Sequence, residues 1–125
     1  MNAVWIVDDD RSIRWVLEKA LTREEIPYKS FGAAAEVQAA LEGTTQPPQV
    51  LVSDIRMPGE SGLSLLSKVK ARFPHIPVII MTAFSDLDSA VSAFQGGAFE
   101  YLPKPFDVDQ AVDLVRRAIE ESVHQ

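Results

Sequence analysis

The chain alternates between two hydrophobic periods. Short apolar runs bounded by turn residues read as strands, and stretches with apolar positions three and four apart read as helices. Val4-Trp5-Ile6-Val7 is the first run, and after Asp8-Asp9-Asp10 the positions Ile13, Val16, Leu17, Ala20 and Leu21 recur at helical spacing. Residues 26–31, Ile26 to Phe31, form a weaker strand, and Pro27, which cannot donate to a ladder, predicts a sheet edge for it. Ala34, Val37, Ala40 and Leu41 mark a second helix that Gly43 is expected to stop, and Thr44 to Gln49, with two prolines, is a loop. The run 50–53 is the next strand. It ends at Asp54, and Met57-Pro58-Gly59 must leave it as a loop. A third helix carries Leu65, Leu66, Val69 and Phe73 on one face, and Pro74 and Pro77 bracket its end. Val78-Ile79-Ile80-Met81 is almost fully apolar, which predicts a strand covered on both faces. The fourth helix carries Leu87, Ala90, Val91 and Phe94, with Ser85 and Asp88 spaced as a capping box and Gly96-Gly97 at its end. Phe99 to Leu102 is the last strand. Asp107 and Gln110 are cap candidates for a final helix whose buried stripe is Val108, Ala111, Val112, Val115 and Ile119.

Five strands alternating with five helices predict an α/β fold: a doubly wound parallel sheet with helices on both faces. With an edge-like second strand, the order 2-1-3-4-5 fits best, and its switch point falls between strands 1 and 3. That order carries the Asp triplet beside Asp54, in the crevice where such folds bind ligands.

Composition narrows the function. The 125 residues are 46% hydrophobic and 24% charged, enough for one globular domain with its own core. No apolar stretch is long enough to span a bilayer and no leader is evident, so a soluble chain without membrane contact is expected. The absence of cysteine removes thiol chemistry and fits a reducing, cytoplasmic setting. A net charge of −6 with no basic cluster argues against direct nucleic-acid binding by this chain. There is no phosphate-binding glycine loop, no dinucleotide fingerprint and no nucleophile elbow, and His75 and His124 are isolated.

What remains is chemistry at strand ends. Carboxylates crowded within a few ångströms repel and need a cation or shared protons, and hard oxygen ligands suit Mg²⁺. Asp10, nearest the first helix, is the best cap candidate, which leaves Asp8 and Asp9 for the metal. Thr82 closes the fourth strand, either as a local turn hydroxyl or as a donor to an anionic group on Asp54. Lys104 sits between Pro103 and Pro105, so its backbone is restrained on both sides and a cis bond before Pro105 is an option. Tyr101 is either plain core or an amphipathic ring able to sit in or out.

Val7-Asp8-Asp9-Asp10, the loop Ser53-Asp54-Ile55-Arg56-Met57-Pro58-Gly59, Met81-Thr82-Ala83 and Leu102-Pro103-Lys104-Pro105-Phe106 resemble the receiver domain of a two-component response regulator. Ser12 to Glu18 and Ser85 to Ala93 resemble, more closely, receivers of sigma-54-dependent regulators of nitrogen control, with Phe84 standing where a histidine is expected. The resemblance covers the whole chain. It implies a flavodoxin-like, CheY-like fold and one receiver domain over 1–125, the N-terminal part of a longer transcriptional regulator. It also implies that Asp54 accepts a phosphoryl group from a sensor histidine kinase. Mg²⁺ would be held by Asp9, Asp54 and the main-chain carbonyl of Arg56, with Asp8 acting through water and Asp10 as the alternative to Asp8. Thr82 and Lys104 would contact the phosphoryl oxygens, and Tyr101 would follow Thr82 as a switch. The helix at 86–95 would shift and present its face to an output domain or to a receiver dimer partner. Such a domain catalyses its own phosphorylation slowly and is not a turnover enzyme. A phosphohydrolase would want Asp-x-Asp after the first strand and a cap domain, whereas Asp54 is followed by Ile55-Arg56. An inert receiver-like domain would be expected to lack one of Asp9, Asp54, Thr82 or Lys104.

Overall fold

A computed structural model describes residues 3–83 and 86–123. Five strands, β1 (Val4–Val7), β2 (Tyr28–Phe31), β3 (Val50–Asp54), β4 (Val78–Ala83) and β5 (Glu100–Lys104), alternate with five helices, α1 (Arg11–Arg23), α2 (Ala34–Gly43), α3 (Gly62–Arg72), α4 (Leu87–Gln95) and α5 (Val108–Val123). All strand pairs are parallel and the order is β2-β1-β3-β4-β5, as the pattern of runs predicts. The two edge strands, β2 and β5, are the ones whose residues are mostly not fully buried.

Side chains alternate across the sheet, so each central strand feeds two cores. Trp5, Val7, Leu51, Val78 and Ile80 pack with Leu65, Leu66 and Val69 of α3, with α2, and with Ala93 of α4. Val4, Ile6, Val52, Ile79 and Met81 pack on the other face with Leu17 and Leu21 of α1 and with Leu114 and Val115 of α5.

Several boundaries differ from the sequence reading. β2 begins at Tyr28, and Pro27 before it contributes only its carbonyl, which accepts from the Val4 N–H at 3.1 Å. Gly43 is the last residue of α2 and not its stop; extended Thr44 ends the helix ahead of the prolines. β4 and β5 run further than their apolar stretches, to Ala83 and Lys104, so Thr82 and Lys104 lie within strands, paired with Pro103 and Ala83 respectively. β5 is the other edge strand, where a sheet accepts a proline such as Pro103. The Lys104–Pro105 bond is cis.

α4 departs most from its pattern. Its buried residues are Ala90 and Ala93, while Leu87, Val91 and Phe94 are exposed. Small side chains let the helix lie close to the sheet and turn the large ones to solvent. Asp86 caps it by accepting from the Ser89 N–H at 3.4 Å, whereas Ser85 and Phe84 lie outside the described residues. The expected stop is present: Gly97 has φ of +100°, its N–H donates to Phe94, and the Ala98 N–H donates to Ala93, the paired bonds that close a left-handed helix end. In α5 the Asp107 carboxylate accepts from the N–H groups of Asp109 and Gln110, and the buried stripe is Ala111, Val112, Leu114, Val115 and Ala118, with the expected Val108 and Ile119 only half-buried.

Candidate functional site

The register of the sheet builds the site. Val7 pairs with Ser53 and Asp54 pairs with Met81, so the residues just past β1, at the end of β3 and at the end of β4 converge on one rim. Oxygens of Asp8, Asp9 and Asp54 lie within 4.8 Å of one another. Asp8 is fully buried and Asp54 nearly so, while Asp9 is exposed. Asp10 turns away from this group. Its Oδ1 accepts from the Ser12 N–H at 2.8 Å and the Ile13 N–H at 3.4 Å, capping α1. Among the described residues, the carboxylates that group are those of Asp8, Asp9 and Asp54, and Asp10 is not among them.

Lys104 closes the cluster from β5. Its Nζ lies 3.0 Å from Asp8 Oδ2 and 3.0 Å from Asp54 Oδ1. Burial alone would lower the lysine pKa, but hydrogen bonds to both carboxylates and their negative charge outweigh it, so the ammonium is held above its usual range. Burial pushes the Asp8 carboxyl up, and the charge of Asp54 adds to that, against the pull of the Asp10 N–H and of Lys104. Two buried carboxylates and one ammonium leave this crevice net negative before Asp9 is counted. The surplus favours a further cation, and an all-oxygen donor set with one solvent-facing member fits a hard divalent ion that keeps waters.

Thr82 lies on the same rim, 3% exposed, and its Oγ1 is a buried side-chain oxygen with no hydrogen-bond partner among the described residues. An unsatisfied buried hydroxyl costs about 1–3 kcal/mol, so it is an unusual thing for a fold to keep. Tyr101 is half-buried on β5, with its ring edge-on to Phe94 of α4 at 5.7 Å between centroids. Arg56 lies two residues past Asp54, and its guanidinium pairs with Asp86, the α4 cap, at 3.0 Å. The Ser89 hydroxyl first, and Arg56 with it, hold the Asp86 carboxyl below the usual range. The site loop and the start of α4 are thus tied directly.

Three residues escape the sequence reading. The Arg14 guanidinium donates to the Asp8 carbonyl and steadies the acidic turn from α1. Ser53 Oγ donates to the Asp54 carbonyl at 3.0 Å; a hydroxyl inside an otherwise apolar run is the signal that could have found it. Gly62 packs against that same carbonyl, and nothing in its sequence neighbourhood announces the contact.

A doubly wound sheet with this carboxylate–lysine–threonine rim is the architecture of a receiver domain, and residues 4–116 match the response regulator receiver domain family. The chain belongs to that family. Within it, this is an NtrC-like receiver domain of a two-component response regulator. It is 64% identical over 115 residues to the DNA-binding transcriptional regulator NtrC of Klebsiella pneumoniae, covering 92% of this chain and 24% of that protein. The solution structure of the apo receiver domain of nitrogen regulatory protein C is similar with a TM-score of 0.84 at 60% identity, covering 96% of this chain and 97% of that one. The BeF3-activated form of that receiver gives 0.80 at 62% identity, covering 94% of each. The chain spans about a quarter of the length of the curated relatives it matches. Among the described residues, no helix is long and apolar enough to cross a membrane.

Proposed function

We propose that Asp54 is the phosphoacceptor of this receiver, charged by the phosphohistidine of a sensor histidine kinase. The observation that carries the reading is the meeting of Asp54 with two further carboxylates and with Lys104 at 3.0 Å on one rim. An Asp54 carboxylate oxygen attacks phosphorus, the P–N bond breaks with its electron pair going to the imidazole nitrogen, and an acyl phosphate remains on Asp54. Such a transfer asks mainly for positioning and charge neutralisation. Asp9, Asp54 and the main-chain carbonyl of Arg56 would hold Mg²⁺, with Asp8 acting through water. When bound, the ion supplies neutralisation of the transferring group's charge. Lys104, already against Asp54, meets the arriving oxygens without moving far.

The product adds about −1.5 to −2 units of charge beside the buried Thr82 hydroxyl. Thr82 is the free donor that this charge would draw in. Its departure would open space toward Tyr101, whose ring already touches Phe94 of α4, and α4 would shift as the bistable element. The exposed Leu87, Val91 and Phe94 then offer a face to an output domain or to a second receiver. By its likeness to NtrC, the chain is the receiver part of a longer, cytoplasmic transcriptional regulator that acts with sigma-54 polymerase. Nucleic acid would be bound by other parts of that protein. The domain promotes its own phosphorylation and slow hydrolysis and does not turn over a separate substrate.

Incubation with acetyl phosphate and Mg²⁺, read by intact mass, tests the assignment. The wild type is expected to gain one phosphoryl group and Asp54→Asn to gain none at that position. Equal labelling of both would reject Asp54 as the acceptor.

A further inference from the structure

Gly62 opens α3 and sits against the acceptor's own backbone. A Cβ built on it would lie 2.0 Å from the Asp54 carbonyl oxygen, 2.8 Å from the Ile55 Cα and 2.9 Å from the Asp54 carbonyl carbon. All three are main-chain atoms, so no rotamer change can make room. The Gly62 N–H donates to the Ile55 carbonyl at 2.7 Å, closing the neck of the loop that carries Arg56. Ser53 Oγ donates to the same Asp54 carbonyl at 3.0 Å. Neither partner in this contact yields easily. β3 is the middle strand, paired with β1 and β4, and the Ile55 N–H is anchored on the Met81 carbonyl at 3.1 Å. α3 is fixed by buried Leu65, Leu66 and Val69. The loop's far end is tied by Glu60, which accepts from Ser64 Oγ and Gln38 and pairs with Lys68 at 2.7 Å. The contact falls on the Asp54–Ile55 peptide, which is itself held at its carbonyl by Ser53 Oγ and at its N–H by Met81, so a displacement there is passed to the Asp54 side chain.

We propose that Gly62 is a positioning residue for phosphoryl acceptance: its missing side chain lets α3 seat on the Asp54 carbonyl, and that seat fixes the acceptor carboxylate against Asp8, Asp9 and Lys104. The proposal rests on the reading of Asp54 as acceptor. A merely structural glycine would affect stability alone. A positioning one changes the rate and the cation response of folded protein.

Gly62→Ala is compared with two controls. Leu65→Ala loosens the same helix without touching Asp54, and Gly43→Ala places a methyl where nothing lies within 4 Å. Acetyl phosphate labelling gives the maximal rate per folded molecule, and a Mg²⁺ titration followed by amide NMR of Asp9, Asp54 and Arg56 gives cation binding without chemistry. Displacement of a reacting group by about 1 Å costs on the order of 10²-fold, so Gly62→Ala is expected to lose about that much in maximal rate and to need more Mg²⁺. Leu65→Ala and Gly43→Ala are expected to stay within about threefold of wild type. Folded Gly62→Ala labelling at the wild-type rate, or Leu65→Ala falling equally far, would overturn the proposal. If Gly62→Ala does not fold, Ser53→Ala replaces it, removing the hydrogen bond to the same carbonyl without adding atoms. A drop of about three- to tenfold with shifted Asp54 and Ile55 amides supports the proposal, and an unchanged rate and spectrum overturn it. A wild type that takes no label rejects the acceptor reading itself. A wild type that labels beside an equally fast Gly62→Ala rejects only the role of Gly62.

Discussion

Thr82 holds a buried hydroxyl that satisfies no partner among the described residues. Ordinary core substitutions cost stability, but here the sign reverses. Thr82→Val keeps the shape and removes the unsatisfied oxygen, so it is expected to stabilise the unphosphorylated domain by about 1 kcal/mol in urea unfolding. A loss of comparable size would show that the hydroxyl has a partner after all. Lys104 carries the opposite burden, since its one positive charge is shared between two buried carboxylates. Lys104→Met is expected to lower labelling by about 10²-fold, the scale seen when one charge-stabilising donor is removed from an active site. The same variant should lose stability at neutral pH, because Asp8 is left buried without its cation.

At the scale of elements, α4 and the β3–α3 loop carry the distinctive behaviour. α4 buries only Ala90 and Ala93, so replacing exposed Leu87 or Val91 by serine is expected to change stability by no more than about 0.5 kcal/mol. Ala93→Leu, forced into a fully buried position, is expected to cost about 1–3 kcal/mol. Thermal unfolding of the three variants separates a helix held by its small face from one held by its large residues. The loop is pH-sensitive through Glu60. Its hydrogen bond with Lys68, then those with Ser64 and Gln38, hold the carboxyl below its ordinary value near 4.5. A folded pKa below the unfolded one gives stability that is present above 4.5 and lost as pH falls through the depressed value. The protection of amides 61–64, measured relative to their intrinsic exchange rates, is therefore expected to fall as pH drops below about 4.5 in wild type, and to lose that pH step in Glu60→Gln.

For the molecule as a whole, the two cores and the site respond to different perturbations. Leu65 is fully buried against β-strand side chains, and Leu65→Ala is expected to cost about 2–5 kcal/mol. At the acidic rim, the Mg²⁺ site proposed above would add stability by binding the folded state alone. Mg²⁺ at 100 times its Kd is expected to stabilise the domain by about 2.7 kcal/mol in denaturant titrations. Asp9→Asn, at an exposed position, is expected to leave the metal-free stability near wild type and to remove most of that gain. A gain of the same size in Asp9→Asn would remove Asp9 from the cation site.

The sequence by itself determined the number and kind of elements, the edge position of β2, the best-fitting sheet order and the meeting of the acidic turn with Asp54, while Thr82 and Lys104 were brought to that site by the family resemblance. The elements, their order and that meeting follow from local periodicity and from a topology with few allowed solutions. The capping role of Asp10 was also legible, because a carboxylate next to a helix start finds unpaired N–H groups, as Asp10 does. Only the tertiary structure decided the rest. Whether α4 faces the sheet with its alanines or its large residues depends on how closely it approaches, which periodicity cannot measure. Strand ends at Thr82 and Lys104 extend because a paired neighbour supplies hydrogen bonds that polar and proline-flanked sequence does not advertise. The seat of Gly62 on Asp54 exists only in three dimensions, since it is a contact between two backbones and leaves no trace in side-chain chemistry.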